Sequence, residues 1–198
     1  MFVIGLTGSI AMGKSTTARL FANEGVPVHD ADAAVHRLYE GEAAGLIEQA
    51  FPGTTAHGRV DRKKLGARVA GDPPALRRLE EIVHPLVRNA ERKFLKDAEH
   101  AGTRVAVLDV PLLFETNGHE RTDAVVVVSA PQEMQRARVL ERGVSVEQLE
   151  TLLARQMPDA QKRQRADFVV DTSQGIEHAR TQVRQILAAV ATLPIRRK

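Results

Sequence analysis

The sequence predicts an α/β fold, a five-stranded parallel sheet flanked by helices. Three observations carry that prediction. The first thirty residues spell strand, turn, helix and strand, the pattern of a parallel βαβ unit with a right-handed crossover. Three further runs have strand character, at Arg104–Asp109, Ala124–Ser129 and, more weakly, Phe168–Asp171. The long stretches between them carry helical rather than alternating patterns.

Phe2-Val3-Ile4-Gly5-Leu6-Thr7 is apolar without alternation and reads as a strand buried on both faces. From Lys14 to about Asn23 the residues favour a helix, with Ala18, Leu20, Phe21 and Ala22 as its apolar surface and Gly25 as its end. Val26-Pro27-Val28-His29 is the second strand, stopped by Asp30-Ala31-Asp32. Roughly seventy residues with little strand pattern follow, far more than a plain crossover needs. Within them residues 33–39, 43–50, 62–69, 74–83 and 86–99 look helical. Asp72 before Pro73 predicts a cap with proline at the first helical position. His84-Pro85 should interrupt the helical run, because proline brings no amide to an interior turn. The whole insertion reads as a helical subdomain on the carboxyl edge of the sheet. Residues 136–165 hold seven basic and four acidic side chains and a narrow stripe of Val146, Leu149, Leu152 and Leu153, which predicts a helical hairpin projecting from the core. A last helix is expected from about Ile176 to Ala191, with Ile176, Ala179, Val183, Ile186, Leu187 and Val190 on one face. Ile195-Arg196-Arg197-Lys198 reads as a solvated tail.

The composition removes several classes of function. The 198 residues fit one compact domain, and 43% hydrophobic with 27% charged residues excludes general disorder. No apolar run reaches the roughly 18–20 residues of a membrane span. Met1-Phe2-Val3-Ile4-Gly5 shows no basic leader, so a cytoplasmic protein without membrane partner is expected. With no cysteine there are no disulfides, thiolate metal sites or cysteine nucleophiles. The 28 basic residues face 25 acidic ones, and with one Tyr and no Trp there is no base-stacking platform. No nucleic acid partner is expected, and no obligate protein partner is evident.

Gly8-Ser9-Ile10-Ala11-Met12-Gly13-Lys14-Ser15 matches the phosphate-binding pattern G-x-x-x-x-G-K-[ST]. It follows an apolar strand and opens a helix, the context its mechanics require. Glycines let successive amides face one anion, and the helix start adds its positive end. Lys14 brings a mobile charge to the β- and γ-phosphates, and the Ser15 hydroxyl can coordinate Mg²⁺. Ala11 should hold an ordinary right-handed conformation, since alanine tolerates positive φ poorly, at roughly 1–2 kcal/mol. No N-K-x-D segment reads guanine, and the third strand ends Asp109-Val110-Pro111 without the adjacent Glu of motor-type ATPases. A small-molecule kinase remains, built from a phosphate loop, an acceptor pocket and a lid that excludes water. ATP and Mg²⁺ are its expected cofactors. A single domain, 1–198, then divides into a core of 1–31, 101–135 and 166–198, the helical insertion of 32–100, and the hairpin stretch of 136–165.

Asp30 and Asp32 sit two residues apart at a strand end, so in extended chain they point to opposite sides. One can face the phosphates and orient or deprotonate an acceptor hydroxyl, or hold hydrated Mg²⁺; the other can cap the helix near Ala33. Two readings stand for several other residues. His84 either ends one helix and caps the next or lines the acceptor subdomain. Asp109 is a contact to Mg²⁺-bound water or a polar strand end. Glu115 touches substrate or anchors its segment. Arg138 and Arg142, one turn apart, meet a common anion or form a solvated face; Arg155 is a weaker candidate of the same kind.

These residues resemble the dephospho-CoA kinase family over nearly the whole chain. The resemblance rests on Gly5-Leu6-Thr7-Gly8 leading into Gly13-Lys14-Ser15-Thr16, then Asp30-Ala31-Asp32, His84-Pro85-Leu86-Val87 and Pro111-Leu112-Leu113-Phe114-Glu115. Gln135-Arg136-Ala137-Arg138, Arg142, Gln156 and Ala166-Asp167-Phe168-Val169-Val170-Asp171 continue it. It implies a P-loop kinase fold and phosphorylation by ATP of the ribose 3′-hydroxyl of dephospho-CoA, a small-molecule substrate, with Asp32 at the family's catalytic aspartate, the helical insertion 32–100 binding the acceptor and 136–165 serving as the lid. The implied site takes Lys14, Asp32 and Arg142 for catalysis. Gly8, Ala11, Met12, Gly13, Lys14, Ser15, Thr16 and Arg138 bind the nucleotide, and Asp32, His84 and Glu115 the acceptor. Ser15, by its hydroxyl, and Asp32, through water, hold Mg²⁺. Two departures stand out. Ser9 and Ala11 occupy positions where many members have Gly, and Thr172 replaces a common Asn after the last strand. A nucleoside or nucleotide kinase with another acceptor, and a slow ATP-hydrolysing regulatory protein, are the rival readings.

Overall fold

The structure, a computed structural model, describes residues 1–154 and 156–195. The expectations attached to Arg155 and to Arg196, Arg197 and Lys198 lie outside the described residues. The chain divides into two compact units, one of residues 1–29 and 98 onward, the other Asp30–Asp97.

In chain order the elements are β1 (Phe2–Thr7), α1 (Lys14–Asn23), β2 (Val28–Asp30), α2 (Ala31–Tyr39), α3 (Glu42–Ala50), β3 (Thr55–Ala56), β4 (Arg59–Val60), α4 (Arg62–Val69) and α5 (Pro73–His100). Then come β5 (Val105–Asp109), β6 (Ala124–Ser129), α6 (Gln132–Glu141), α7 (Val146–Leu153), α8 (Asp159–Arg165), β7 (Phe168–Asp171) and α9 (Ile176–Val190). The main sheet has the order β2-β5-β1-β6-β7, and β1 pairs in parallel with both β5 and β6. The chain leaves β1 toward β2 and β5 on one side, and reaches β6 and β7 on the other. The gap between β1 and β6 is therefore the switch point outside which ligands bind in such sheets.

The run Ala124–Ser129 is buried along its whole length because it serves two cores. Ala124, Val126 and Val128 pack with Ile4, Leu6, Phe21 and the α9 residues Ala179, Val183, Ile186 and Val190. Val125 and Val127 face the other way, onto Leu113 and Phe114. This is the period of two expressed on both faces of one strand. Of the expected α9 stripe, Ile176 departs: it is 53% exposed, at the first turn.

The second unit is mainly helical, with a core of Leu38, Ala43, Ile47, Phe51, Leu65, Leu79 and Val83. Three expectations change here. A small hairpin, β3–β4, stands where little strand pattern is visible. Its strands are two residues each, too short for periodicity to register. Its signal is the turn: His57 and Gly58 both have positive φ, 52° and 74°, as a two-residue type I′ turn demands. His84-Pro85 does not interrupt the helix, since α5 runs through Pro85. Both residues are exposed, so the Glu81 carbonyl left without an amide partner can turn to water. His84 is therefore neither an end nor a cap. The cap expected further upstream is present: the Asp72 carboxylate accepts from Ala75 N at 3.0 Å.

The third change concerns the aspartates. The strand stops at Asp30 and helix α2 begins at once, so Asp30 and Asp32 are not alternating residues of an extended chain. Asp30 Oδ1 accepts from Ala33 N at 2.9 Å and is the helix cap. Asp32 stands exposed in the first helical turn, where a carboxylate is favoured by the helix dipole.

Candidate active site

Residues 8–13 join β1 to α1 and are gripped from behind. A Cβ on Gly8 would stand 2.7 Å from the Val128 carbonyl oxygen, so the loop lies directly on β6. Gly13 has φ 95°, and a Cβ there would press on Thr172 at 3.0 Å. Ala11 overturns its expectation: its φ is 58°, in the left-handed region. The conformation costs an alanine roughly 1–2 kcal/mol, and the surroundings hold it there. Three consecutive carbonyls are each taken by a side chain. Gln135 Nε2 donates to Ile10 O at 2.8 Å, Arg138 Nη1 to Ala11 O at 3.4 Å, and Thr172 Oγ1 to Met12 O at 2.8 Å. Acceptors that would repel a phosphate are thereby engaged, while the opening turn of α1 offers amides without helical partners. Ala11 itself is buried with Val139 and Leu149 in a small apolar cluster.

Lys14 heads α1, and its Nζ lies 2.7 Å from Asp109 Oδ1 at the end of β5. The Asp109 side chain is almost fully buried, so this pair sits at the floor of the crevice rather than on its rim. Ser15 is exposed beside it and Thr16 half-buried. The Ser15 hydroxyl at the head of α1 is a hard oxygen donor of the kind Mg²⁺ takes. Among the described residues no group of three or more acidic or His side chains could hold an ion alone.

Arg138 and Arg142 share a cavity of about 230 Å³ with Ala11, Gly13, Thr16 and Thr172. They differ in tether. Arg138 donates to Thr172 through Nη1 at 3.0 Å to the hydroxyl and Nη2 at 2.8 Å to the carbonyl. Arg142 ends α6 and is exposed. A larger cavity, about 690 Å³, is reached from Ser9 and Met12 and is lined by neither Lys14 nor Arg142. The Thr172 hydroxyl spends its proton on Met12 O and accepts from Arg138, so this departure from the common Asn serves as a clamp on the loop.

Glu115 takes the anchoring reading. Its Oε1 accepts from Met157 N at 2.8 Å and lies 3.0 Å from Lys162 Nζ. Burial pushes its carboxyl up, but the Met157 amide and the Lys162 ammonium outweigh that and hold it below the ordinary value. Asp32 and His84 belong to the other unit, both exposed on helices.

A family model for dephospho-CoA kinase matches residues 2–178. The chain belongs to the dephospho-CoA kinase family. A dephospho-CoA kinase of Rhodopseudomonas palustris is 63% identical over 198 residues, all of both chains. A Thermus thermophilus protein of known crystal structure is 34% identical with a TM-score of 0.85, covering 97% of this chain and 98% of its own. The dephospho-CoA kinase of Campylobacter jejuni, at 24% identity and TM-score 0.67 over 95% and 96% of the two chains, shares the fold. In this dephospho-CoA kinase family member, sequence reasoning missed Lys162 and the bonding partners of the loop carbonyls. Lys162 lies in a basic stretch that reads as a hairpin projecting from the core, and only the tertiary fold buries it.

Proposed function

We propose that the chain transfers the γ-phosphoryl group of ATP to the ribose 3′-hydroxyl of dephospho-CoA, giving coenzyme A and ADP. Full-length membership of the family carries this reading, together with a phosphate loop that matches its mechanics. Gly8, Ala11, Met12, Gly13 and Thr16 form the loop that receives the donor phosphates. Lys14 leaves or shares Asp109 to neutralise charge on the transferring oxygens, which is where electrostatic stabilisation counts most. Arg138 is already fixed beside the loop and Arg142 closes over the same cavity. Asp32 accepts the acceptor's proton or orients its hydroxyl, and His84 belongs to the same acceptor-binding unit. Ser15, and Asp32 through water, would hold Mg²⁺, which would supply positive charge to the phosphates. Among the described residues no helix is long and apolar enough to cross a membrane.

The test is acceptor-dependent ADP release with dephospho-CoA, AMP, adenosine and no acceptor. Release with dephospho-CoA alone supports the reading; equal release with AMP or without acceptor overturns it. Asp32→Asn keeps size and one hydrogen bond but not the proton-accepting charge. It should lose most of kcat while ATP affinity stays. An unchanged kcat where chemistry limits turnover removes Asp32 from the mechanism.

A further inference from the structure

Lys162 is a buried charge that the mechanism above leaves unused. It lies in α8 and is 0% exposed. Its Nζ is 3.0 Å from Glu115 Oε1, the oxygen that also accepts from Met157 N. The ammonium reaches, at 3.4 Å, the carbonyl of Pro111, and the same carbonyl accepts from Thr7 Oγ1 at 2.9 Å. Thr7 is the last residue of β1, immediately before the phosphate loop. Pro111 stands two residues after Asp109, the partner of Lys14. One ammonium thus joins the returning end of the lid stretch to both strand ends that frame the phosphate site.

Stability does not account for this charge. Burying an ammonium and a carboxylate forfeits the hydration of both, and well-packed apolar replacements of such pairs are often as stable or more so. The segments that supply its partners, residues 110–115 and 157–166, also build the apolar cluster of Val110, Leu113, Phe114, Met157 and Ala166. What an ion pair adds in such a place is a fixed direction and length, which sliding apolar contacts do not supply.

We propose that Lys162, acting through Glu115 and the Pro111 carbonyl, is a positioning residue for phosphoryl transfer. It sets the Asp109 end of β5 and the start of the phosphate loop against the root of the lid. A displacement of about 1 Å at such a point costs on the order of 100-fold in rate, so positioning alone gives the pair a kinetic role. The inference rests on Lys14 serving the donor phosphates, a reading that Lys14→Ala tests independently.

The decisive variant is Lys162→Met with Glu115→Gln, which removes both charges and leaves an acceptor for Met157 N. We expect a folded protein with a melting temperature at or near the parent's. ATP affinity should stay within about threefold, and kcat with dephospho-CoA should fall about tenfold or more. Lys162→Arg, which keeps the charge, should recover most of that loss. A folded double variant with kcat within twofold of the parent overturns the proposal. If the double variant does not fold, Glu115→Asp replaces it, keeping both charges but withdrawing the carboxylate by one methylene. A fall of about fivefold or more in kcat at parental melting temperature then supports positioning, and parental kcat overturns it.

Discussion

The phosphate loop and the stretch proposed as the lid are neighbours built on opposite plans. The loop is fastened at nearly every peptide: Gln135, Arg138 and Thr172 take its carbonyls, Gly8 lies on β6, and Ala11 is held in a conformation it disfavours. The stretch proposed as the lid is fastened at fewer points, by Arg138 on Thr172, by Lys162 on Glu115, and between them by Val139 and Leu149 packed on Ala11. Between them, Leu140, Val146 and Leu152 remain largely exposed. A rigid cradle receives charge without rearranging, while a segment held by a few contacts and one thin apolar seam can move after the substrate arrives. Phosphoryl transfer uses both properties, preorganisation for the phosphates and late closure against water.

The largest effect should come from the cradle. Lys14→Ala should lower transfer by about 1000-fold or more while circular dichroism stays close to the parent, because its neighbours still form the turn; melting should fall, because the buried Asp109 carboxylate loses the Lys14 ammonium. Near-normal turnover in the folded variant would put the loop outside the chemistry. The proposed lid is probed by Arg138 within α6 and by Arg142 just past its end. Arg142→Ala should reduce single-turnover transfer by about 10–1000-fold, with a smaller change in ATP dissociation from the open enzyme. Arg138→Ala should instead weaken ATP binding and lower the melting temperature together, since it also releases the Ala11 carbonyl and Thr172. If both variants show the same pattern, the contrast between fixed and late-arriving arginines fails.

A smaller effect tests the strain in the cradle. Ala11→Gly relieves the left-handed alanine and should raise stability by up to about 1 kcal/mol, or a few degrees in melting temperature, with turnover little changed. A loss of stability would mean that the methyl packing with Val139 and Leu149 outweighs the strain. The smallest effect concerns pH. The Glu115 carboxyl is held below its ordinary 4.5, so its contribution is fully present above that pH and is lost as pH falls through the lower folded value. The gap in melting temperature between the parent and Glu115→Gln should narrow on acidification below about pH 4.5. A constant gap would remove this group from the acid response.

The cradle was legible because its determinants are contiguous. Eight successive residues state the motif, and the strand before and helix after it are read from their own side chains. The five strands were legible for the same reason. Ala11 was misjudged because its conformation is imposed from Gln135, Arg138 and Thr172, more than a hundred residues away. Pro85 was misjudged because local rules give the cost of a proline but not its exposure. The Asp30–Asp32 pair was read with strand geometry one residue too far, yet the division into a cap and a separate carboxylate survived the change of geometry. Lys162 carries no local mark of burial, since every neighbour in sequence suggests a wet, basic helix.

The small cluster of Ala11, Val139 and Leu149 has a consequence for how the molecule breathes. It joins a loop residue to α6 and α7 with only three buried side chains, far fewer than the core beneath β1 and β6. A seam so thin opens at a fraction of the free energy of global unfolding. Amide protons of α7 should therefore exchange on a clock of their own. Because Ala11 belongs to that seam, a nucleotide that stills the loop should slow the clock from the far side of the cluster.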